Sequence, residues 1–307
     1  MDGAGLDWTL YWFMLPVCVA VATTAMLTGI SGAALMVPVL VIGLPALGPA
    51  YALQTTSLSI GSALIIQSAG FASGLYGYWR RRLIDVRSAL PFLVFAVPAA
   101  VAGALALGAL AQYDTLIKGA YALLMLALCP LLLLRGRGQT VAMTAGSVAR
   151  PEMGAGGRLR SLTGHDGRTW HYSVPRPGAS GGLLTALGGF LTGLVAVGMG
   201  EVLMPQLLRR HRLPPPVAAA MSVLIVIIVT LTAAFVYAAS LASAADDLAL
   251  PWHMLVWAMA GVALGGQIGP RLHGLVAQRA MERLISLLFA AIGLAMGLVA
   301  LRGSGVL

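Results

Sequence analysis

The sequence predicts an all-α polytopic membrane protein made of two inverted repeats, each a broken or hairpin first element followed by three transmembrane helices. Three observations predict it. Of 307 residues, 59% are hydrophobic and 9% charged, against about 25% charged in a soluble domain. The apolar residues gather in eight runs, at about 9–44, 50–78, 89–110, 115–134, 181–208, 215–245, 252–268 and 284–301. Landmarks of the first four runs recur in the last four at a nearly constant shift. This composition excludes a soluble enzyme, a disordered chain and a secreted disulfide scaffold.

A spanning helix needs roughly 20 residues, and most of the runs fit one crossing. The first does not: a helix of its length would reach ~54 Å, against a ~30 Å hydrocarbon core. Gly29, Gly32 and Pro38 interrupt it, and Gly193, Gly198, Gly200 and Pro205 interrupt the fifth run in the same way. Glycine costs helix stability and proline removes a hydrogen bond. The stretch 135–180, rich in Gly, Arg, Ser and Thr, reads as a loop between the halves. The chain thus divides into a first repeat, 1–134, a basic linker, 135–180, and a second repeat, 181–307. Pro38 and Pro205 are 167 apart, as are Pro49 and Pro216, and Thr55 and Ser222; a shift of 166 pairs Gly103 with Gly269 and Ala111-Gln112 with Ala277-Gln278. Met1 to Asp7 holds two acids and no base, unlike a signal peptide, so the first run is expected to be retained. Cys18 and Cys129 lie in apolar runs as small hydrophobes, without metal-ligand spacing. No cofactor is expected.

Charge sets the orientation. Arg80, Arg81, Arg82 and Arg87 place the loop after run two inside, seven arginines place 135–180 inside, and Arg209, Arg210 and Arg212 place the loop after run five inside. Asp246 and Asp247 suit an outside loop. Runs one and five then return to the side they entered, so each is a hairpin or re-entrant element. Three further crossings invert the second half. The expected setting is a bacterial inner (plasma) membrane, with the linker cytoplasmic and both termini outside. Seventeen of the 19 basic residues fall inside. The net charge of +9 is therefore an orientation signal and not a nucleic-acid footprint. The expected partners are the lipid bilayer and a small anion, and a homo-oligomer is compatible with the sequence.

Glu201 is an acid well inside an apolar run, where a charge costs at least ~2.5–3.5 kcal/mol. It reads either as a proton-coupling or substrate-gating carboxylate or as a run-edge acid paired with Arg209, Arg210 or Arg212. Its counterpart under the shift is Ala34. The breaks at Gly29, Ser31 and Gly32 and at Gly198, Met199 and Gly200 permit unwound backbone with N–H groups aimed at an anion. The alternative is close helix packing through small residues. Gln54, Thr55, Thr56 and Ser57, with Ser222, supply hydroxyl and amide donors just after each break. Gln67, Gln267 and Thr230 read as packing groups. Trp8, Trp12, Trp79 and Trp252 fall at run ends, as an aromatic belt does. Gly29-Ile30-Ser31-Gly32 also matches the GxSG pattern of intramembrane serine proteases, with Ser31 as nucleophile. That chemistry needs a histidine at membrane depth, and the candidate, His253, reads as interfacial.

Gly29 to Pro38 followed by Pro49 to Ser57, and Gly193 to Pro205 followed by Pro216 to Ser222, resemble the paired motifs of the TauE/SafE family. Gly265 to Arg283, with Gly269-Pro270-Arg271-Leu272, resembles that family's penultimate-helix ending. The likeness covers about residues 10–134 and 181–300. It implies a secondary transporter or permease for small anions such as sulfite, sulfonates or other organosulfur compounds. It also implies inverted repeats with a site between the two broken elements. The rival readings are an uncoupled anion channel and the serine protease. This sequence departs from the family's glycine cluster at Ser31, Ala33 and Ala34, and again where Glu201 follows Gly200.

Overall fold

The first helix of each half stops short of the next one, and in the second half the residue that caps it is Ala196, at φ 62°. The computed structural model describes residues 8–28, 31–135, 159–165, 167–174, 176–243, 250–272 and 278–303. Helix α1 (Met14–Thr28) stops just before Gly29, which lies with Ile30 outside the described residues. The chain resumes as α2 (Gly32–Pro38), a π turn (Val39–Gly43) and α3 (Leu44–Leu47). Three long helices follow: α4 (Thr56–Arg80), α5 (Val86–Ala109) and α6 (Asp114–Arg135). The second half runs as α7 (Ala179–Val195), α8 (Met199–Pro205), a π turn (Gln206–Arg210), α9 (Pro215–Ser243), α10 (Trp252–Leu272) and α11 (Gln278–Gly303).

The shift of 167 carries over into backbone geometry. It maps the end of α1 onto the end of α7, both ends of α2 onto those of α8, and one π turn onto the other. The prolines do not break the helical path, and in the second half the break runs from Ala196 to Gly198. Proline removes one N–H and its ring clashes with the carbonyl four residues back. The π turns that follow Pro38 and Pro205 absorb that misfit, and the helical path continues.

Packing is reciprocal between the halves. Helix α1 lies against α10 and α7 against α5, while α4 pairs with α9 and α6 with α11. Small residues allow the first two contacts. A methyl group added at Gly265 would stand 2.5 Å from the Val19 carbonyl oxygen, and one at Gly193 would stand 2.2 Å from that of Ala100. Gly193 therefore packs helices and takes no part in the break. Outward faces are apolar, with Leu123, Leu183, Phe235 and Leu287 exposed, as lipid contact requires. Among the described residues, α4, α5 and α9 are each long and apolar enough to span a membrane. Trp8, Trp12, Trp79 and Trp252 are exposed near helix ends.

The stretch expected to be a loop holds ordered structure. Helix α6 reaches Arg135, and Leu159–Thr163 (β1) pairs antiparallel with Thr169–Ser173 (β2). Alternation explains the hairpin: Trp170 and Tyr172 turn inward, and Thr169 and His171 face out. Arg160 and Tyr172 are cross-strand neighbours, and both reach Asp85, which caps α5. The Tyr172 hydroxyl donates to Asp85 Oδ2 at 2.6 Å, as does Ser88 Oγ at 2.6 Å, and the Arg160 guanidinium pairs with Oδ1. The His165 N–H adds a bond to the Arg81 carbonyl at 3.1 Å.

Burial pushes the Asp85 carboxyl up, but the bonds from Ser88, Tyr172 and Arg160, with the Arg160 charge, hold it below its ordinary range. Its contribution is therefore present above the ordinary carboxylate range and is lost as pH falls through the lowered value. Removing Asp85 leaves the Tyr172 and Ser88 hydroxyls and a partly exposed Arg160 without their shared acceptor, at ~1–3 kcal/mol for a buried polar group left unsatisfied. Asp85→Ala should therefore undock the hairpin at neutral pH. Limited trypsin digestion checks this: the variant should be cut at Arg160 or Arg168 well before the unaltered protein, and equal rates refute the docking role.

Candidate functional site

The two breaks meet. Helix α7 unwinds through Ala196, at a left-handed φ of 62°, and Gly198, at φ 136°. A side chain at Gly198 would be strained there, and its Cβ would press within 2.9 Å of Leu191. The N–H groups freed by unwinding find side-chain acceptors. Met199 N–H donates to Thr192 Oγ1 at 2.9 Å, and Gly198 N–H donates to Glu201 Oε2 at 3.1 Å. The other carboxylate oxygen crosses to the first half, where Ser31 N–H donates to Glu201 Oε1 at 2.9 Å. Glu201 is 1% exposed. Its two carboxylate oxygens thus serve the two breaks, and Arg210 donates to Ser180 Oγ at 2.8 Å.

The first break is organised by Gln67 of α4. Its Oε1 accepts the Ser31 hydroxyl at 2.5 Å and the Ala33 N–H at 2.7 Å. Pro38 has no N–H for the Ala34 carbonyl four residues back, and the Tyr121 hydroxyl of α6 fills that vacancy at 2.9 Å.

A cavity of about 150 Å³ opens beside this junction. That is below the ~300–1,000 Å³ of pockets for drug-sized ligands and suits a small solute. Its polar lining comes from Ser31, Gln67 and Ser222, with the backbones of Gly32 and Gly200. The walls are apolar, among them Met26, Met36, Ile66, Phe71, Val226 and Val262, and Tyr78 lines it near the Arg80 end of α4.

Of the residues expected at the site, Ser31, Gly32, Gly200 and Ser222 come together on the cavity. Gly198, Met199 and Glu201 form the second break. Met199 and Glu201 are buried in it, and none of the three lines the cavity. Gly29 lies outside the described residues. Gln54, Thr55, Thr56 and Ser57 stand apart from the cavity, at the start of α4. Gln54 is exposed. Thr55 caps the helix by accepting Leu58 N–H at 3.1 Å, Thr56 N–H donates to Asp114 Oδ1 at 2.8 Å, and Ser57 bonds Tyr237.

Gln67 is the residue that sequence reasoning passed over. The signal was its spacing, since Ala63, Gln67, Gly70 and Phe71 share one helix face and all line the cavity. Gln267 and Thr230 do serve packing: Gln267 Nε2 donates to Ser73 Oγ at 2.8 Å, and Thr230 Oγ1 donates to the Ile227 carbonyl. The GxSG reading fails on geometry. The Ser31 hydroxyl is bound to an amide, and the His253 ring packs on Tyr11 at 4.9 Å between centroids. The family described as Sulfite exporter TauE/SafE matches residues 14–296 of the chain. No curated protein and no solved structure matches it.

Proposed function

This chain belongs to the sulfite exporter TauE/SafE family, a family of transporters and not of enzymes, and from that premise we propose that it is a secondary transporter of small anions such as sulfite or organosulfonates. The cavity at the meeting of the two breaks carries the reading, with Ser31, Gly32, Gly200 and Ser222 on its wall. Among the described residues no Lys or Arg lines it. Neutral hydroxyl and amide donors bind an anion weakly enough to release it, which a carrier needs. The reciprocal packing and the shared shift of 167 support two inverted halves that rock about this site. The chain is read as lying in a bacterial inner membrane, with the hairpin cytoplasmic. Protons are the proposed coupling ion, with Glu201 as their carrier.

Counterflow tests the transport reading. Proteoliposomes loaded with unlabelled sulfite should transiently concentrate labelled sulfite from outside. Labelled sulfite that merely equilibrates would make the protein a channel. No sulfite movement, with sulfoacetate or thiosulfate carried instead, would move the substrate within the same class.

A further inference from the structure

Glu201 does more than sit in the second break. Its two oxygens accept from the Ser31 and Gly198 N–H groups, at 2.9 and 3.1 Å. Those two residues are 167 apart, so one carboxylate spans equivalent positions of the two halves. The anion held by both unwound segments is therefore the protein's own. The cavity lies beside it, lined by Ser31 of the first half and Gly200 of the second. Tyr121 of α6, a neutral phenol, is a titratable group that feels the carboxylate's charge.

We infer that Glu201 is a positioning residue, the tie that holds the two breaks against each other and so sets the width of the cavity between them. The inference rests on the reading of that cavity as the transport site. A carboxylate offers acceptors to both N–H groups at once. An amide at this position keeps one good acceptor and turns N–H donors toward the other N–H. Gaining a proton has the same consequence, which gives the proposed coupling a physical route: the halves are tied when Glu201 is charged and part when it is neutral.

The tie can be cut from either end. Ser31 has φ −59°, close to proline's own value, so Ser31→Pro removes the N–H with the φ of residue 31 already matched. Ser31→Ala keeps that N–H and removes only the hydroxyl on Gln67. Spin labels at L47C and R210C, in a C18A and C129A background, report the separation of the two segments by pulsed electron resonance in detergent, without substrate. With the carboxylate intact, one narrow distance is expected. E201Q and S31P should each add a longer population, the tied form falling by roughly tenfold or more, the equilibrium factor for one hydrogen bond to a charged group. S31A should keep the single distance. An unchanged distance in E201Q and S31P overturns the tie. So does S31A spreading as far as S31P, which would assign the hold to the Ser31–Gln67 bond. If E201Q fails to fold, S31P against S31A still decides. No anion is present, so a chain that carries no sulfite can still pass this test, and a failed tie leaves counterflow to stand or fall alone.

Discussion

Glu201→Gln is expected to abolish the pH dependence of sulfite flux in proteoliposomes while the protein still inserts and purifies as folded protein. The amide is nearly the same size as the acid, so the 1%-exposed site is not overfilled. What changes is charge and proton affinity. An amide carries no proton through the cycle, and it loses a bond to one of the two break N–H groups. Hydrogen bonds to charged groups are worth ~1.5–3 kcal/mol. Maximal flux should therefore fall by about tenfold to a hundredfold at the optimal pH of the unaltered protein, and the remaining flux should be flat with pH. Half-saturation by sulfite should move less than maximal rate, because Glu201 does not line the cavity. Flux that stays low yet keeps the original pH profile would leave Glu201 as a tie and move the proton elsewhere. An unchanged rate and profile would remove it from the mechanism.

Gly193→Ala should destabilise the fold severely. The new methyl would lie 2.2 Å from the Ala100 carbonyl oxygen and 2.7 Å from the Ala104 nitrogen. Both are backbone atoms of α5, so no side chain can rotate aside. Overpacking costs ~1–3 kcal/mol and more where backbone must move. A loss of about 3 kcal/mol or above is expected, read as a large drop in the melting temperature of detergent-solubilised protein. Gly265→Ala should behave alike, since its methyl would stand 2.5 Å from the Val19 oxygen. Gly119→Ala is the control, because its methyl meets nothing within 4 Å. Equal melting of the Gly193 and Gly119 variants would refute the close approach of α5 and α7.

The features legible from sequence were those with a large local cost. A carboxylate in an apolar run is expensive anywhere, so Glu201 stood out before its partners were known. Paired Gly and Pro interruptions mark unwound segments, and the helix ends and π turns keep the same 167. Less legible were residues whose role depends on what faces them. Gln67 looks like any amide in a helix until the first break is laid against it. Tyr121 matters because Pro38 leaves a carbonyl vacant, a relation between α6 and α2 that no local pattern carries. Gly193 and Gly198 look alike in sequence. One faces backbone across a helix contact and the other adopts a positive φ, and only packing separates them. The hydroxyls at Thr55 to Ser57 fell near the first break in sequence, but they cap the start of α4 and bond to α6 and α9, as short polar side chains at a helix start tend to do. The hairpin at 159–173 escaped notice because a search for long apolar runs passes over a five-residue alternation.

Two equivalent halves alone would treat the two sides of a membrane alike, with matched barriers in each direction. The hairpin breaks that equality. It is fastened by Asp85 at the Arg80 end of α4, and Trp170 and Leu162 pack in the same apolar cluster as the cavity-lining Phe71 and Met204. Opening the cavity toward that end must disturb contacts with no counterpart in α1 to α6. On the proposed transport reading, the inward and outward strokes are therefore expected to have unequal rates, even where the two halves share a backbone plan.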